Sequence, residues 1–157
     1  MGKMDTIQID FNELPKWWAL CAVEGCPRQA VCLRHRVYEL SPATLTKAVA
    51  VLPHALDAKG GCPHFVEAKM VRMARGFKES ILKIQSRDAR MGIRLGLTDY
   101  FGSKGTYYRY RDGEKLLNPA QQQYVESLYA RYGCTDTPIF DAYVDYYDFS
   151  LNNRANL

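Results

Sequence analysis

A chain of 157 residues, 47% hydrophobic and 24% charged, is long enough to bury a real core and has the composition of a soluble globular protein. No run approaches the roughly 18 apolar residues of a membrane helix. The N-terminal MGKMDTIQIDFNELPKWW lacks the apolar stretch and small-residue cleavage site of a secretory leader. Membrane and secreted classes are therefore set aside, and a cytoplasmic location is expected.

The net charge of +4 is unevenly spread. Residues 1–68 carry seven basic against seven acidic side chains, residues 69–115 carry twelve against five, and residues 118–157 carry two against five. A basic middle followed by an acidic end is compatible with a nucleic-acid footprint. Charge by itself still favours the plainer reading, solvated helix faces.

Residues 1–40 read as irregular and cysteine-rich. Ser41-Pro42 is a helix start, with serine as N-cap and proline in the first turn. The following ATLTKAVAVLP suits a short helix or a strand, with helix preferred, and Pro53 ends it. AKGGCP is then a turn that delivers Cys62. From Pro63 the recurrence of Val66, Met70, Met73, Phe77, Ile81 and Ile84 at intervals of three and four predicts one long helix. Lys69, Arg72, Arg75, Lys78 and Lys83 fall mainly off that stripe.

A second helix is predicted over SRDARMGIRLGLTDYF, with Ala89, Ile93, Leu97, Tyr100 and Phe101 inside, and Gly102 to Gly105 form a turn. Asn118-Pro119 starts another helix, carrying Tyr124, Val125, Leu128, Tyr129 and Tyr132 inward and closed by Gly133. A last helix is expected from Asp136-Thr137-Pro138, with Ile139, Phe140, Tyr143, Val144 and Tyr147 inside and Asp141, Asp145 and Asp148 outside. The tail LNNRANL should fray. The expected fold class is mainly α. It would comprise a loop-rich four-cysteine segment over residues 1–64 and a helical region over residues 65–157, together one compact domain.

Five cysteines, an odd number in an expected reducing compartment, do not read as a disulfide framework. Cys21, Cys26 and Cys32 follow C-x4-C-x5-C spacing, and Cys62 comes after twenty-nine intervening residues. Proline follows both Cys26 and Cys62. Four thiolates brought together make a closed tetrahedral zinc site that would stabilise a segment short of core. The same four could ligate an iron–sulfur cluster, where Cys-Pro steps recur, or remain buried thiols. His35 and His64 lie close enough in sequence to replace one ligand, although a satisfied surface histidine is the plainer reading of each. Cys134 reads as a small hydrophobe. No phosphate loop, nucleophile elbow or zincin motif is present in the sequence. A Cys32–His35 dyad would lack a third orienting group, so no enzyme is expected.

TYYRYRDGEKLL, residues 106–117, admits two readings. In one, residues 87–101 are the first helix of a helix-turn-helix, Lys104–Asp112 the recognition helix and Asn118–Tyr132 its support. Lys104, Tyr108, Arg109, Arg111 and Lys115 would then reach DNA phosphates or guanine edges. In the other, the segment is a hairpin or turn packed on the helices, with Asp112-Gly113 at its tip. The competing class of function is an interaction or structural module without nucleic acid, in which the tyrosine-rich C-terminal helix meets a protein partner or a second copy in a homodimer. Tyr107 is expected in the core and Arg109 on the surface.

The run YRYRDGE before a proline-initiated helix resembles the end of the recognition helix in repressor-type helix-turn-helix domains. Over nearly its whole length, the chain also resembles a family from gut Bacteroidales catalogued as a domain of unknown function. The segments that carry the likeness are ALCAVEGCPRQAVCLR, GGCPHF, YFGSKGTYYRYRDGEKLLNPAQQQ and FDAYVDYY. This second resemblance implies a small bacterial intracellular protein and implies no particular activity.

Overall fold

A computed structural model of the chain describes residues 7–135 and 138–150. Its elements, in order, are β1 (Leu20–Cys21), α1 (Leu33–Glu39), β2 (Ala50–Val51), β3 (Met70–Arg75), α2 (Lys78–Lys83), α3 (Arg87–Phe101), α4 (Lys104–Arg111), β4 (Leu116–Leu117), α5 (Pro119–Arg131) and β5 (Ala142–Tyr147). Single 3-10 turns lie at Gln29–Val31 and Pro53–Ala55. The mainly α expectation is therefore corrected to a mixed α/β fold with two sheets among the described residues.

Three elements carry that correction. The long helix expected from Pro63 is instead β3 followed by the short α2, interrupted at Gly76, whose φ of 70° lies where a side chain is strained. Over the first four residues of β3 burial alternates, with Val71 and Met73 partly covered and Met70 and Arg72 exposed, which is the period of a strand, and Ala74 then enters the core. The last helix is instead β5. Its AYVDYY is rich in the β-branched and aromatic residues that fit a pleated surface. The expected helix start at Asp136-Thr137 and the tail LNNRANL lie outside the described residues. The short helix preferred over residues 43–53 is β2 preceded by irregular chain, and Pro53 begins a 3-10 turn rather than ending a helix.

The described residues form two units, one of residues 7–70 with 147–150, the other Val71–Tyr146. In the first unit, β1 and β2 pair in parallel, Leu20 opposite Ala50 and Cys21 opposite Val51, and α1 packs on β1. Its core is Trp18, Leu20, Leu33, Val37 and Val66.

In the second unit, β3 is the central strand between β4 and β5. It pairs antiparallel with β4, Ala74 opposite Leu117. Helix α3 packs against α4 and α5. Gly92 and Gly96 permit the close approach of α5, because a Cβ would come 2.4 Å from the Tyr132 ring at the first and 2.8 Å from Leu128 at the second. The core of this unit joins Phe77, Ile81, Ile93, Leu97, Tyr107, Leu117 and Val125. No helix among the described residues is long and apolar enough to cross a membrane.

Candidate functional site

The sequence-predicted site residues fall into two groups, one in each unit. In the first unit Cys21 ends β1, and Cys32, which is buried, stands at the N-cap of α1 and is bridged to Glu67. Cys26 and Cys62 open two turns of the same build. Each follows a glycine and precedes a proline. The Cys26 carbonyl accepts from the Gln29 N–H at 3.2 Å and the Cys62 carbonyl from the Phe65 N–H at 3.3 Å. Proline at the second position presets φ for such a turn.

The two turns touch. A Cβ on Gly60, at φ 80°, would come 2.7 Å from the Pro27 ring, and the Arg28 guanidinium lies 3.9 Å from the centre of the Phe65 ring. Asp57 ties the second loop, accepting from the N–H groups of Lys59 and Gly61 at 2.8 Å each.

Arg34 braces this region from α1. Its side chain is buried, donating from Nε to the His64 carbonyl at 2.7 Å and from Nη1 to the Ala19 carbonyl at 3.1 Å, with the guanidinium over Trp18. Burial pushes the Cys21 thiol above its ordinary range. The Val23 backbone N–H opposes that rise, and the charges of Cys32, Cys26 and Cys62 add to it. Burial lowers the Arg34 pKa, while Cys32, Cys62 and Cys21 act to raise it. All five cysteines are unbridged thiols, and no three His, Cys, Asp or Glu side chains among the described residues stand close enough together to hold a metal ion. His35 is engaged elsewhere, through Nδ1 with the Cys21 carbonyl at 3.0 Å and through Nε2 toward Glu39 at 3.5 Å.

In the second unit the TYYRYR segment is α4, which excludes the hairpin reading. Gly102, at φ 89°, ends α3, and the Ser103 hydroxyl caps α4 by accepting from the Thr106 N–H at 3.1 Å. Tyr107 is buried edge-on to Phe77, as expected of a core residue. Tyr110 stacks on Phe101 at 4.2 Å, and its hydroxyl accepts from Gln121 Nε2 at 3.1 Å.

Four of the predicted contact residues hold partners within the chain. Arg109 is exposed and lies 3.4 Å from Glu114. Arg111 donates to Asp112 at 2.7 Å and covers the Tyr108 ring, while Lys115 sits near the Tyr110 ring. The Arg111–Asp112 hydrogen bond holds the Asp112 carboxyl below its usual range and Arg111 above its own. Lys104 is exposed at the start of the helix.

A further set of cations was not singled out by the sequence reading. Arg87, Arg90 and Arg94 on α3 make no ion pair among the described residues. With Arg111 and Tyr108 they line a cleft of about 360 Å³ whose apolar wall includes Leu82, Met91 and Leu95. Those three side chains are each half or more exposed. The signal was available in the sequence as arginines at spacings of three and four on a helix whose inward residues had been recognised.

A family model described as a family of unknown function, DUF6078, matches residues 4–149. No curated protein and no solved structure matches the chain.

Proposed function

The chain belongs to DUF6078, a family of unknown function, and from the arginine cleft of its second unit we propose that it is a DNA-binding, regulator-like protein. The observation that carries this is the row Arg87, Arg90 and Arg94, three guanidinium groups on one helix with no acidic partner among the described residues, beside Arg111. Guanidinium groups not already neutralised within the chain release counterions when they meet phosphate, which is the main sequence-independent source of affinity for DNA. The order α3, two-residue turn, α4, then α5 supports the same reading. Arg109 and Arg111 contribute less than the α3 row, because each must first exchange Glu114 or Asp112 for a phosphate.

The test is a mobility shift on mixed-sequence duplex across a salt series, with the triple variant Arg87→Ala/Arg90→Ala/Arg94→Ala alongside. Binding should weaken steeply with salt, and the triple variant should lower the salt slope by about three. Its melting temperature should hold, since Arg87 and Arg94 are exposed, Arg90 is only half-buried, and unpaired surface charges add little stability. No retention at low salt, or a triple variant that binds like the parent, rejects the proposal.

A second reading, a protein-interaction module, is favoured by one observation. Leu82, Met91 and Leu95 put aliphatic surface in the cleft, which phosphates do not use and an acidic amphipathic helix would. Under this reading the Leu95→Asp variant loses a protein partner while duplex is never retained.

A further inference from the structure

Resting on the nucleic-acid reading of the second unit, we propose that the arginine cleft takes an unpaired base of single-stranded DNA. The base lies against the apolar wall, and its flanking phosphates lie on Arg87, Arg90 and Arg94.

Shape is the first ground. The cleft of about 360 Å³ is a hollow between three helices, with Leu82 from α2, Met91 and Leu95 from α3, and Tyr108 and Arg111 from α4 in its lining. Leu82, Met91 and Leu95 are 59%, 50% and 61% exposed, so this wall is open to a ligand rather than covered by the chain's own core. A base in a duplex is paired and stacked, and its faces are out of reach. Only an unpaired base can turn a face toward such a wall.

Charge is the second ground, and it narrows the class of ligand. Arg87, Arg90 and Arg94 make no ion pair among the described residues, and no acidic side chain lines the cleft. They follow one another at spacings of three and four along α3, a row about 10 Å long. A row of guanidinium groups of that length suits a chain of successive phosphates better than a single anion.

A flat surface is the third ground. The Arg111 guanidinium lies 4.6 Å from the centre of the Tyr108 ring and donates to Asp112 at 2.7 Å, which fixes its orientation. Ring and guanidinium both line the cleft, and aromatic rings and arginine planes are the surfaces on which bases stack. An acidic amphipathic helix would use the arginines and the aliphatic wall and leave this flat pair without a counterpart. An unpaired strand uses all three.

The experiment measures fluorescence anisotropy of labelled strands with the full chain. The probes are an oligothymidylate of roughly twelve nucleotides, a base-free strand with the same phosphates, and a mixed-sequence duplex, each across a salt series. The base-bearing strand should bind about tenfold or more tighter than the base-free one. Their plots of log affinity against log salt should run parallel, because the phosphates are the same and only the base contact differs. Leu95→Ser and Tyr108→Leu should each cut that ratio several-fold and leave duplex affinity unchanged. If Tyr108→Leu fails to fold, Leu95→Ser, at an exposed position, still decides. Equal affinity for the two strands, or a ratio that survives the substitutions, overturns the inference, and duplex retained in the same series then leaves the DNA-binding reading standing. Failure of all three probes to bind rejects that reading and this inference with it, and capture of an acidic amphipathic peptide in their place assigns the cleft to a protein partner.

Discussion

Tyr107 shows how one residue's role follows from helical geometry. Three tyrosines and two arginines in near alternation look like a strand with two faces. Wound into α4, residues 107, 108 and 110 point to different sides, so that Tyr107 enters the core, Tyr110 lies on Phe101, and Tyr108 lies under Arg111. Replacing Tyr107 by alanine should cost about 3–5 kcal/mol in urea unfolding, the range for deleting a buried aromatic ring. Tyr129, also buried, shares a 2.9 Å hydrogen bond with the Ser80 hydroxyl, and burial holds its pKa well above the ordinary value. The folded chain therefore keeps that proton more tightly than the unfolded chain does. The associated stability is complete below the unfolded pKa of about 10 and is lost as pH rises toward the folded value. Tyr129→Phe should cost about 1 kcal/mol near neutrality, and urea melts above about pH 10 should then fall less steeply with pH than those of the parent.

The helices of the second unit begin and end on local signals. Asn118 accepts from the Gln121 N–H at 2.9 Å, and Gln121 Oε1 accepts from the Asn118 N–H at 2.9 Å, a reciprocal cap followed by Pro119 in the first turn. Asn118→Ala should lower stability by about 1 kcal/mol in thermal or urea melts, while Asn118→Asp should recover most of it. The passage from β3 into α2 depends on a distant residue instead. Asp141, just before β5, accepts from the N–H groups of Lys78 and Glu79, and its own N–H donates to the Gly76 carbonyl at 2.9 Å. A Cβ on Gly76 would come 2.7 Å from that carboxylate, at a φ of 70°. Gly76→Ala should therefore destabilise by more than about 1 kcal/mol, visible as an earlier urea midpoint with unchanged slope.

At the scale of the molecule, the buried residues form two clusters, one in each unit. Leu33 is fully buried in one and Leu97 in the other. Leu33→Ala and Leu97→Ala should each cost about 2–5 kcal/mol. Amide exchange mapped by mass spectrometry should speed up first around α1 in the former and around α3 and α5 in the latter. Charge is partitioned as well. Arg72 through Lys115 supply eleven of the twelve basic residues of the 69–115 stretch, and all of them lie in the second unit.

Helices α3 and α5 were legible in the sequence to within a residue or two, and so was the burial of Tyr107, whereas α4 was one of two readings that the sequence left open. An α-helix closes its hydrogen bonds between residues four apart, so its stripe, N-cap and terminal glycine are all written within one short window. The strands were not legible for the opposite reason. β3 takes its partners from Leu116–Leu117 and from β5, and Val66, Met70, Met73 and Phe77 read alone fit a helix just as well. The same distinction divides the two candidate sites. Spacing and the two Cys-Pro steps were enough to single out Cys21, Cys26, Cys32 and Cys62, but only the folded chain showed Arg34, between them in sequence, buried on the Ala19 and His64 carbonyls. Composition marked residues 69–115 as basic, yet which arginines remain available was decided in three dimensions. Arg109 and Arg111 pair with carboxylates, and Arg87, Arg90 and Arg94 make no ion pair among the described residues, because the availability of a charge depends on its neighbours in space rather than on its place in the chain.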